Sequence, residues 1–551
     1  MTGNLVEIRN LRVEATTDAG RRVEIIKGVS LDIAEGEIVA LIGESGSGKT
    51  TIAMTLMGYT RQGCAITGGE VRLAGVDLVK LSEAERAGIR GTRVAYVPQS
   101  AAAAFNPALT IMDQVIEVAR IHKLMSVAEA QAKAVLLFKA LSLPEPETIG
   151  SRYPHQVSGG QLQRLAAAMA LIGQPKVVIF DEPTTALDVT TQVEVLRAFK
   201  AVMAQHNIAG VYVSHDLAVV AQIADRIAVL KDGTVQETGT TSNILEEPRH
   251  PYTRELLAAF RPKAQQREPE FDDATKSPLL QVDNLTVGYG PRLRDGQPLI
   301  SAVQAVSLKL DRGRNLGIVG ESGCGKSTLA RAIAGILPPH AGDIIFNGRE
   351  LGKAGRTRNE LRQIQIVFQH ADTALNPAHS VEDILRRPLT FYHGMRGKPR
   401  DARVSELLDL VHLPKSVRHR LPRELSGGQK QRVNFARALA AEPTLILCDE
   451  ITSALDTVVA AAVVELLKEL QRELGLSYIF ISHDLSVVEA ICDEIIVMYR
   501  GEKVEEITPK RLTTPQHPYT RLLFSSVPKL DPTWLDSLNQ NTAEARAYCQ
   551  Q

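Results

Sequence analysis

The chain has 551 residues, of which 44% are hydrophobic and 23% are charged, and its 63 Lys and Arg residues balance 63 Asp and Glu residues. This length exceeds what one hydrophobic core usually needs. Zero net charge excludes a nucleic-acid-binding protein that relies on a global basic field. The sequence has no apolar run near the roughly 18 residues of a membrane-spanning helix. Its N-terminus also lacks the plan of a signal peptide, so we expect the chain to act in the cytoplasm.

Four short motifs of the first half recur in the second half in the same order. The pairs are GESGSGKT at 43–50 and GESGCGKS at 320–327, SGGQ at 158–161 and at 426–429, FDE at 180–182 and CDE at 448–450, and SHD at 214–216 and at 482–484. This repeat predicts two domains, 1–260 and 279–551, the second with a C-terminal extension. The segment 261–278 between them mixes charge, Gln and Pro without apolar periodicity, which is typical of a linker.

Strands and helices alternate within each half. In the first half, short apolar runs at 37–43, 176–180 and 210–214 predict strands of the kind buried in parallel sheets. Apolar residues at three- and four-residue steps over 110–142 predict a helical insertion. The second half repeats the scheme, so we expect an α/β fold with an inserted helical part in each half.

Both halves contain a complete phosphate-binding loop pattern between a predicted strand and a predicted helix. Its glycines let backbone N–H groups turn toward phosphate oxygens, and its lysine adds a point charge. A Gly-rich structural turn is the alternative, which the flanking strand and helix disfavour in both copies. The predicted ATP-binding residues of these loops are Gly43, Glu44, Ser45, Gly46, Ser47, Gly48, Lys49, Thr50, Thr51, Gly320, Glu321, Ser322, Gly323, Cys324, Gly325, Lys326, Ser327 and Thr328.

An acidic pair closes an apolar run in each half, Asp181-Glu182 in the first and Asp449-Glu450 in the second. A carboxylate at the end of a buried strand beside a phosphate loop is placed to hold Mg²⁺ through water. The glutamate that follows can accept a proton from an attacking water. Solvated acids at strand ends are the alternative, and the recurrence of the pair argues against it.

The segments VSGGQLQR at 157–164 and LSGGQKQR at 425–432 resemble the signature sequence of ABC ATPases. The resemblance implies two phosphate-loop ATPase domains, each with a mostly parallel sheet core, an antiparallel β part and a helical subdomain. It also implies that two ATP molecules lie between halves packed head to tail, each phosphate loop facing the other half's signature. The signature residues expected to contact ATP are Ser158, Gly159, Gly160, Gln161, Ser426, Gly427, Gly428 and Gln429.

The same resemblance assigns roles to residues beyond the loops. It makes Glu182 and Glu450 general bases and places His215 and His483 at the γ-phosphate, while Gln99 and Gln369 sense Mg²⁺ and the attacking water. All these positions are filled in both halves, so we expect two hydrolysing sites. The predicted Mg²⁺ residues are Thr50, Gln99, Asp181, Ser327, Gln369 and Asp449. Tyr289 is the expected adenine platform of the second half, whereas Ala15 leaves adenine stacking open in the first.

Two further pairs of segments narrow the family. AFNP at 104–107 recurs as ALNP at 374–377, and HPYTR occurs at 250–254 and 517–521. Together they are similar to peptide/nickel-type ABC importers, here with both ATPases fused in one chain. This implies peptide uptake across the inner membrane, a place on its cytoplasmic face, two integral-membrane permease subunits and a periplasmic solute-binding protein. HPYTR is alternatively a plain helix start with an early proline.

Competing classes fit less well. A soluble ABC ATPase acting on ribosomes or DNA is expected to have a long charged arm, CxxC pairs or coiled coils, so we predict no nucleic-acid partner. An exporter with its own membrane domain lacks the spans. Only Cys549 follows the second HPYTR segment, so we predict no iron–sulfur cluster. Cys324 is either a small space-filler or, near a helix N-terminus, a reactive thiol with a lowered pKa.

Overall fold

The computed structural model describes residues 4–16, 20–185, 187–260, 277–292, 298–352, 355–453, 455–512 and 514–538. It forms two compact units, unit 1 with Met1–Phe260 and Pro528–Gln540, and unit 2 with Arg261–Val527 and Asn541–Gln551. Most of the predicted linker, 261–276, and Cys549 lie outside the described residues.

Unit 1 is built on two sheets. Its strands are β1 (Val6–Thr16), β2 (Arg22–Ile33), β3 (Ile38–Ile42), β4 (Cys64–Leu73), β5 (Val76–Asp77), β6 (Val94–Val97), β7 (Val177–Asp181), β8 (Ala209–Val213), β9 (Arg226–Lys231) and β10 (Thr234–Thr240). The antiparallel sheet has the order β2-β1-β4-β5, and the larger sheet has the order β10-β9-β3-β8-β7-β6. Within the larger sheet only the β9–β10 pair is antiparallel in the described register.

Helices cover the larger sheet of unit 1 and form its helical part. They are α1 (Lys49–Thr55), α2 (Glu83–Ile89), α3 (Ala101–Ala104), α4 (Ile111–Val115), α5 (Glu117–Ile121), α6 (Val127–Ala140), α7 (Gly159–Leu171), α8 (Val189–His206), α9 (Leu217–Ile223), α10 (Thr241–Glu246) and α11 (Pro251–Phe260), with 3₁₀ turns at Ile149–Ser151 and Pro154–Gln156. The helical insertion predicted over 110–142 is therefore α4, α5 and α6. A capping box of Ser126 and Glu129 starts α6.

The core of unit 1 lies between its two sheets. Every residue of β3 is buried, as expected for a central strand of a parallel sheet. Val39 and Leu41 of β3 pack in one cluster with Ile8 and Leu31 of the antiparallel sheet. Burying this many branched side chains is the main favourable contribution to folding, at about 1.5–3 kcal/mol for each.

Unit 2 repeats this architecture. Its strands are β11 (Leu280–Arg292), β12 (Pro298–Leu310), β13 (Asn315–Val319), β14 (Ala341–Phe346), β15 (Arg349–Glu350), β16 (Ile364–Val367), β17 (Leu445–Asp449), β18 (Ser477–Ile481), β19 (Glu494–Tyr499) and β20 (Glu502–Ile507). The sheet orders are β12-β11-β14-β15 and β16-β17-β18-β13-β19-β20. The predicted α/β fold class, with a mostly parallel sheet, an antiparallel β part and a helical part in each half, is confirmed.

The helices of unit 2 also follow the order of unit 1. They are α12 (Lys326–Ile333), α13 (Arg358–Gln363), α14 (Ala371–Ala374), α15 (Val381–His393), α16 (Gly397–Leu410), α17 (Gly427–Leu439), α18 (Thr457–Leu474), α19 (Leu485–Ile491) and α20 (Pro518–Ser525), with 3₁₀ turns at Lys415–His419, Pro422–Glu424 and Pro509–Arg511. Among the described residues, no helix combines the length and apolar character needed to cross a membrane.

Residues 528–538, which follow the second HPYTR segment, pack in unit 1, and we call them the C-terminal strap. It is held by Gln222 of α9, whose side chain is buried. The Gln222 amide nitrogen donates hydrogen bonds to the carbonyl oxygens of Lys529 at 2.7 Å and Asp531 at 3.0 Å. Its amide oxygen accepts one from the N–H of Leu535 at 3.0 Å. A single buried side chain thus satisfies three backbone groups of the strap.

A short helix, α21 (Trp534–Ser537), completes the strap. Trp534, which is the sole tryptophan of the chain, is 6% exposed there. On the rim, Arg197 donates to the Leu535 carbonyl at 3.2 Å and Lys200 pairs with Asp536 at 3.3 Å. The buried Trp534 and the hydrogen bonds and ion pair around it attach the strap to α8 and α9.

Candidate nucleotide-binding and hydrolysis site

Four neighbouring strands of the larger sheet in unit 1 end at the same edge. Strands β3, β8, β7 and β6 run parallel, and the residue pairs Leu41–Val213 and Asp181–Val213 align their carboxyl ends. Loops that follow such strand ends come together, which is the usual place for a ligand in an open α/β sheet. This topology gathers the first phosphate loop (43–50), Gln99, Glu182 and His215.

The backbone of the first phosphate loop has a conformation that glycine permits. Gly43 has φ of 147° and Gly48 has φ of 99°. A Cβ on Gly43 would lie 2.0 Å from the carbonyl oxygen of Leu230, so no larger residue fits. The Lys49 amine donates to the carbonyl oxygens of Gly43 at 2.7 Å and Glu44 at 2.8 Å. The lysine therefore lies folded back over the loop whose N–H groups would surround a phosphate.

The second phosphate loop (320–327) has the same geometry. The Lys326 amine donates to the carbonyl oxygens of Gly320 at 2.8 Å and Glu321 at 2.7 Å. Gly320 is again confined, because a Cβ there would lie 2.2 Å from the carbonyl oxygen of Met498. The structure thus places both predicted loops in one conformation, each within its own unit.

Cys324 does not have the lowered pKa of the reactive-thiol interpretation. Its side chain is 5% exposed, and burial raises the pKa of the thiol despite the nearby Lys326 amine. Desolvation of the thiolate outweighs the positive charge of the lysine and of the helix N-terminus. That interpretation is wrong, and Cys324 fills space inside the loop.

A hydroxyl and a carboxylate meet beside the lysine in unit 1. Thr50 Oγ1 donates to Asp181 Oδ1 at 2.9 Å, and the hydroxyl of Tyr96 donates to Asp181 Oδ2 at 2.7 Å. Burial and the hydrogen bond to Asp181 raise the pKa of Tyr96, so it stays a donor. Oxygen ligands of this kind are those that Mg²⁺ prefers. Thr50 and Asp181 fit the predicted Mg²⁺ site, in which phosphate oxygens and water would complete the coordination, and the role of Gln99 there stays a prediction.

The corresponding pair in unit 2 is Ser327 and Asp449. Ser327 Oγ donates to Asp449 Oδ1 at 2.8 Å. Ile366 occupies the place of Tyr96 in the register of the sheet, so Asp449 has no tyrosine donor there. Burial raises the pKa of Asp449, although the hydrogen bond from Ser327 opposes the shift. Ser327 and Asp449 offer Mg²⁺ the same kinds of oxygen ligand as Thr50 and Asp181, and the role of Gln369 there stays a prediction.

Glu182 has a strained backbone, and the side chains of Gln99 and His215 contact its carboxylate. Its φ of 49° lies in the left-handed region, where a residue with a side chain costs about 1–3 kcal/mol. Gln99 Nε2 donates to Glu182 Oε2 at 2.9 Å, and His215 Nδ1 lies 3.2 Å from Oε1. Burial opposes ionisation of Glu182, but the contact with His215 outweighs it and lowers the pKa of Glu182. These contacts orient the Glu182 carboxylate and favour its ionised form.

Glu450 in unit 2 has the same strained backbone, with φ of 50°. Gln369 Nε2 donates to Glu450 Oε2 at 2.8 Å and to the Ser453 hydroxyl at 3.1 Å. His483 Nδ1 lies 3.6 Å from Glu450 Oε2, which is an ion-pair distance beyond a hydrogen bond. Contact with His483 lowers the pKa of Glu450 against the effect of burial. In each unit, therefore, a Gln and a His converge on one glutamate.

The first signature sequence forms the N-terminus of α7. Ser158 Oγ accepts from the N–H of Gln161 at 3.3 Å, and the Ser158 N–H donates to Gln161 Oε1 at 3.0 Å, which together make a capping box. A Cβ on Gly160 would lie 2.1 Å from Thr191, so this glycine permits close packing of α7 on α8. Ser158 and Gly159 are exposed. The helix end is accessible to a ligand from outside unit 1.

The second signature sequence has the same arrangement at the start of α17. Ser426 accepts from the N–H of Gln429 at 3.3 Å and donates its own N–H to the Gln429 side chain at 3.1 Å. Gly428 approaches Val459 as closely as Gly160 approaches its neighbour, with 2.5 Å to an added Cβ. Ser426 and Gly427 are exposed. Within its own unit, neither signature contacts the phosphate loop in the described hydrogen bonds.

Tyr289 lies on β11 with 41% of its surface exposed, and its hydroxyl is 3.1 Å from Thr328 Oγ1. An exposed aromatic ring beside the first turn of α12 is suitable for stacking on a base, and this role stays a prediction. Ala15 on β1 offers no ring at the matching place of unit 1.

Three residues of the two sites were not predicted from the sequence: Tyr96, Thr185 and Ser453. Tyr96 had no repeat to mark it, because the second half has Ile366 in its place. Matching positions of the two halves carry a hydroxyl, Thr185 in the first and Ser453 in the second. The Thr185 hydroxyl donates to Glu182 Oε2 at 3.4 Å, and the Ser453 hydroxyl accepts from Gln369. A search for small hydroxyl residues three positions after each glutamate would have found this pair.

Comparison with known proteins agrees with this geometry. Residues 26–185 and 303–453 match the family model described as "ABC transporter", and residues 236–284 and 504–550 match "Oligopeptide/dipeptide transporter, C-terminal region". The first model alone covers more than half of the chain. The chain therefore belongs to the ABC transporter ATPases, and to their oligopeptide/dipeptide transporter type.

The chain is also similar to individual proteins of this family. The chain is 38% identical to the glutathione import ATP-binding protein GsiA of Escherichia coli strain K12 over 568 aligned residues, 96% of this chain and 90% of the relative. It is 39% identical to that of Salmonella typhimurium, over 93% of this chain and 88% of the relative. A solved structure, cbiO1 from Clostridium perfringens, part of the ABC transporter complex cbiONQ, is 29% identical, with 45% and 95% of the chains covered and a TM-score of 0.38.

The family models and the two relatives confirm the predicted family and its ATPase activity. The chain is an ATP-hydrolysing subunit of a peptide-type ABC importer, and the alternative of a ribosome- or DNA-directed ATPase is not supported, because both halves match the transporter-type C-terminal region. Such subunits work with membrane permeases.

Proposed function

We propose that this chain powers the uptake of small peptides by hydrolysing ATP at two sites and driving two integral-membrane permease subunits. The observation that carries the proposal is the recurrence of one constellation in both units: a phosphate-loop lysine, a hydroxyl–carboxylate pair, and a strained glutamate held by Gln and His. The relatives named for glutathione import make small peptides the favoured solute class.

The phosphate loops would bind the triphosphate of ATP in both domains, 1–260 and 279–551. Backbone N–H groups and the amines of Lys49 and Lys326 face the negative charge. Mg²⁺, when bound, would neutralise charge on the phosphate oxygens, with Thr50 and Asp181 in unit 1 and their counterparts in unit 2 as its holders. The loops thus supply orientation and charge, which are the main needs of phosphoryl transfer.

Each glutamate would accept the proton of the water that attacks the γ-phosphate. Glu182 remains a carboxylate at neutral pH because contact with His215 lowers its pKa despite burial. Gln99 donates to the same carboxylate and would orient both the base and the water. Glu450, His483 and Gln369 would do the same work in the second site.

The exposed signature ends of α7 and α17 would complete the sites. A serine hydroxyl and glycine N–H groups at a helix N-terminus can bind a γ-phosphate. We propose that each signature contacts the ATP bound on the other half's loop, so that ATP itself joins the halves and hydrolysis releases them. Closure of this kind would transmit force to the permease subunits.

The permease contact is proposed for the helical parts at 99–145 and 369–412. In unit 1, large apolar side chains are exposed on α5, α6 and the turn between them. They are Ile121, Leu124, Val127 and Leu136, with exposures from 41% to 67%. In unit 2, Phe391 on α15 is 52% exposed. Exposed apolar groups gathered on one part of a domain support a protein contact there.

This function places the chain on the cytoplasmic face of the inner membrane, as a peripheral subunit. A solute-binding protein on the far side would select the peptide and deliver it to the permease, so the specificity would lie outside this chain. We propose ATP and Mg²⁺ as its cofactors, without an iron–sulfur cluster and without a nucleic-acid partner.

Co-purification tests the proposal directly. A tagged chain expressed with its native neighbours should retain two integral-membrane subunits in mild detergent. ATPase activity of the complex in liposomes should rise when the binding protein presents a peptide. Association with ribosomes in place of membrane subunits would contradict the assignment.

A further inference from the structure

Both HPYTR segments start a helix, as the plain structural interpretation expects. In unit 1 the N–H of Tyr252 donates to His250 Nδ1 at 3.2 Å, so the histidine caps α11. The carboxylate of Glu237 on β10 accepts from the N–H groups of Arg249 at 2.8 Å and His250 at 3.0 Å. These contacts attach the helix start to the edge of the sheet. They leave the role of the tyrosine side chain unexplained.

The Tyr252 side chain reaches the first phosphate loop. It is 3% exposed, and its hydroxyl oxygen accepts a hydrogen bond from the N–H of Glu44 at 3.2 Å. The carbonyl oxygen of the same Glu44 accepts from the Lys49 amine at 2.8 Å. Both backbone polar groups of Glu44 are therefore held, one by the loop lysine and the other by the HPYTR tyrosine. The Lys231 amine, 4.3 Å above the Tyr252 ring, supports the ring from β9.

The contact recurs in unit 2 with a different support. Tyr519 is fully buried, and its hydroxyl accepts from the N–H of Glu321 at 2.9 Å. Lys326 again binds the carbonyl oxygen of Glu321, at 2.7 Å. The ring of Tyr519 packs on Tyr499 with 4.3 Å between ring centres, where unit 1 has Lys231. The packing around the ring has changed between the repeats while the hydroxyl contact remains.

We propose that Tyr252 and Tyr519 are positioning residues for ATP. Each hydroxyl binds the N–H of the second loop residue, Glu44 or Glu321. This contact stabilises the turn of the loop, whose following N–H groups would bind phosphate. A loop that is already in its binding shape loses less conformational entropy when ATP binds. The C-terminal region typical of the oligopeptide/dipeptide type thus supports ATP binding within its own unit. This inference rests on the phosphate-loop assignment made under the proposed function.

The test is a hydroxyl deletion at both positions in the full-length chain. The Tyr252→Phe/Tyr519→Phe variant keeps the rings and removes the hydrogen bonds to Glu44 and Glu321. We expect the KM for ATP to rise about 3- to 10-fold, the factor that corresponds to one ordinary hydrogen bond. The kcat should stay within about twofold, because the hydroxyls do not contact the reacting atoms.

A matched control removes a buried hydroxyl that does not contact a loop. Tyr478 is fully buried, and its hydroxyl donates to the Leu467 carbonyl at 3.3 Å. Tyr478→Phe should lower thermal stability as much as one of the test substitutions and leave the KM for ATP unchanged. An unchanged KM in the double variant, or an equal rise in Tyr478→Phe, would overturn the inference.

A second variant separates this inference from the loop assignment. Lys49→Ala with Lys326→Ala should abolish binding of radiolabelled ATP if the loops hold the phosphates. Retained binding in that variant would refute the loop assignment itself. Lost binding there, together with a normal KM in the tyrosine variant, would refute the positioning role alone.

Discussion

The two ATP sites of this chain are alike where they would contact phosphate, metal and water, and differ in the residues behind them. Both have the folded-back lysine, the hydroxyl–carboxylate pair and the strained glutamate. The Tyr96 hydroxyl donates to Asp181, whereas unit 2 has Ile366 at the register position that matches Tyr96. The His–Glu contact is 3.2 Å in unit 1 and 3.6 Å in unit 2.

The comparison shows which residues are the same in both copies of the duplicated domain. Groups at bonding distance to the reacting atoms have little geometric freedom, since a misplacement near 1 Å costs about 100-fold in rate. The residues around the buried aspartates have more freedom. A buried carboxylate can be stabilised by a hydrogen bond from a tyrosine or a serine, or its pKa can rise. We therefore expect two working sites with unequal sensitivity to Mg²⁺ and pH.

The largest expected effect is loss of the general bases. Glu182→Gln and Glu450→Gln should each lower the ATPase rate of the assembled importer, and the double variant should lose at least about 100-fold, because general-base catalysis contributes that much. Steady-state phosphate release measures the rates. Glu246→Gln, at an exposed acid on α10, is the control. Full activity in either single variant would show that its site does not turn over.

The next largest effect is expected from release of the C-terminal strap, which packs in unit 1. The second half has Ala490 where the first has Gln222, as their helices align. Gln222→Ala removes the three hydrogen bonds to the strap, which together contribute about 2 kcal/mol, and one to the Ala218 carbonyl of its own helix. The fluorescence of the sole tryptophan, Trp534, should then shift to longer wavelength as water reaches it.

The control for the strap is another buried glutamine. Gln471 donates to the Gly313 carbonyl at 2.7 Å and exchanges hydrogen bonds with Asn315, all in unit 2. Gln471→Ala should leave the Trp534 emission unchanged. An unchanged spectrum in Gln222→Ala would contradict the role of Gln222 in attaching the strap.

A smaller effect is expected from Tyr96→Phe, which makes the first site resemble the second. Without the hydroxyl, Asp181 loses one charge-assisted hydrogen bond, so its orientation toward the metal is less well fixed. The Mg²⁺ concentration for half-maximal ATPase should rise about 3- to 10-fold. A Glu450→Gln background isolates the first site, and a Glu182→Gln background, in which no change is expected, serves as the control.

The smallest effect is expected from the His–Glu pairs, and it depends on pH. Burial opposes both charges, yet their contact lowers the pKa of Glu182 and raises that of His215. The Glu182 contribution to stability is present above its ordinary pKa of 4.5 and is lost as the pH falls through the lowered folded value. The His215 contribution is present below its ordinary pKa of 6.5 and is lost as the pH rises through the raised folded value.

His215→Gln should therefore destabilise the nucleotide-free protein by about 1 kcal/mol near pH 6, and by less near pH 9. Thermal melting at the two pH values measures the difference. His483→Gln should show a smaller loss, because its contact with Glu450 is longer. Equal losses at both pH values would mean that the contact does not depend on the histidine charge.

Most of the fold could be predicted from the sequence because its signals are local. A fully apolar β3 followed by glycines and a lysine predicts a strand, a loop and a helix start without knowledge of the rest. Because the sequence is repeated, each of these local patterns occurs twice. What could not be predicted depends on distant contacts: Tyr96 is 85 residues from Asp181, and Gln222 is 313 from Leu535.

By itself, the sequence determined the class of protein, the two phosphate loops and the acids and histidines expected around them, because these motifs are short and each carries its own chemistry. Only the tertiary structure decided that Cys324 is a buried thiol with a raised pKa, that residues 528–538 pack in unit 1, and that the hydroxyls of the HPYTR tyrosines contact the phosphate loops. Burial and long-range hydrogen bonds arise only when distant segments pack together, and no local pattern in the chain encodes them.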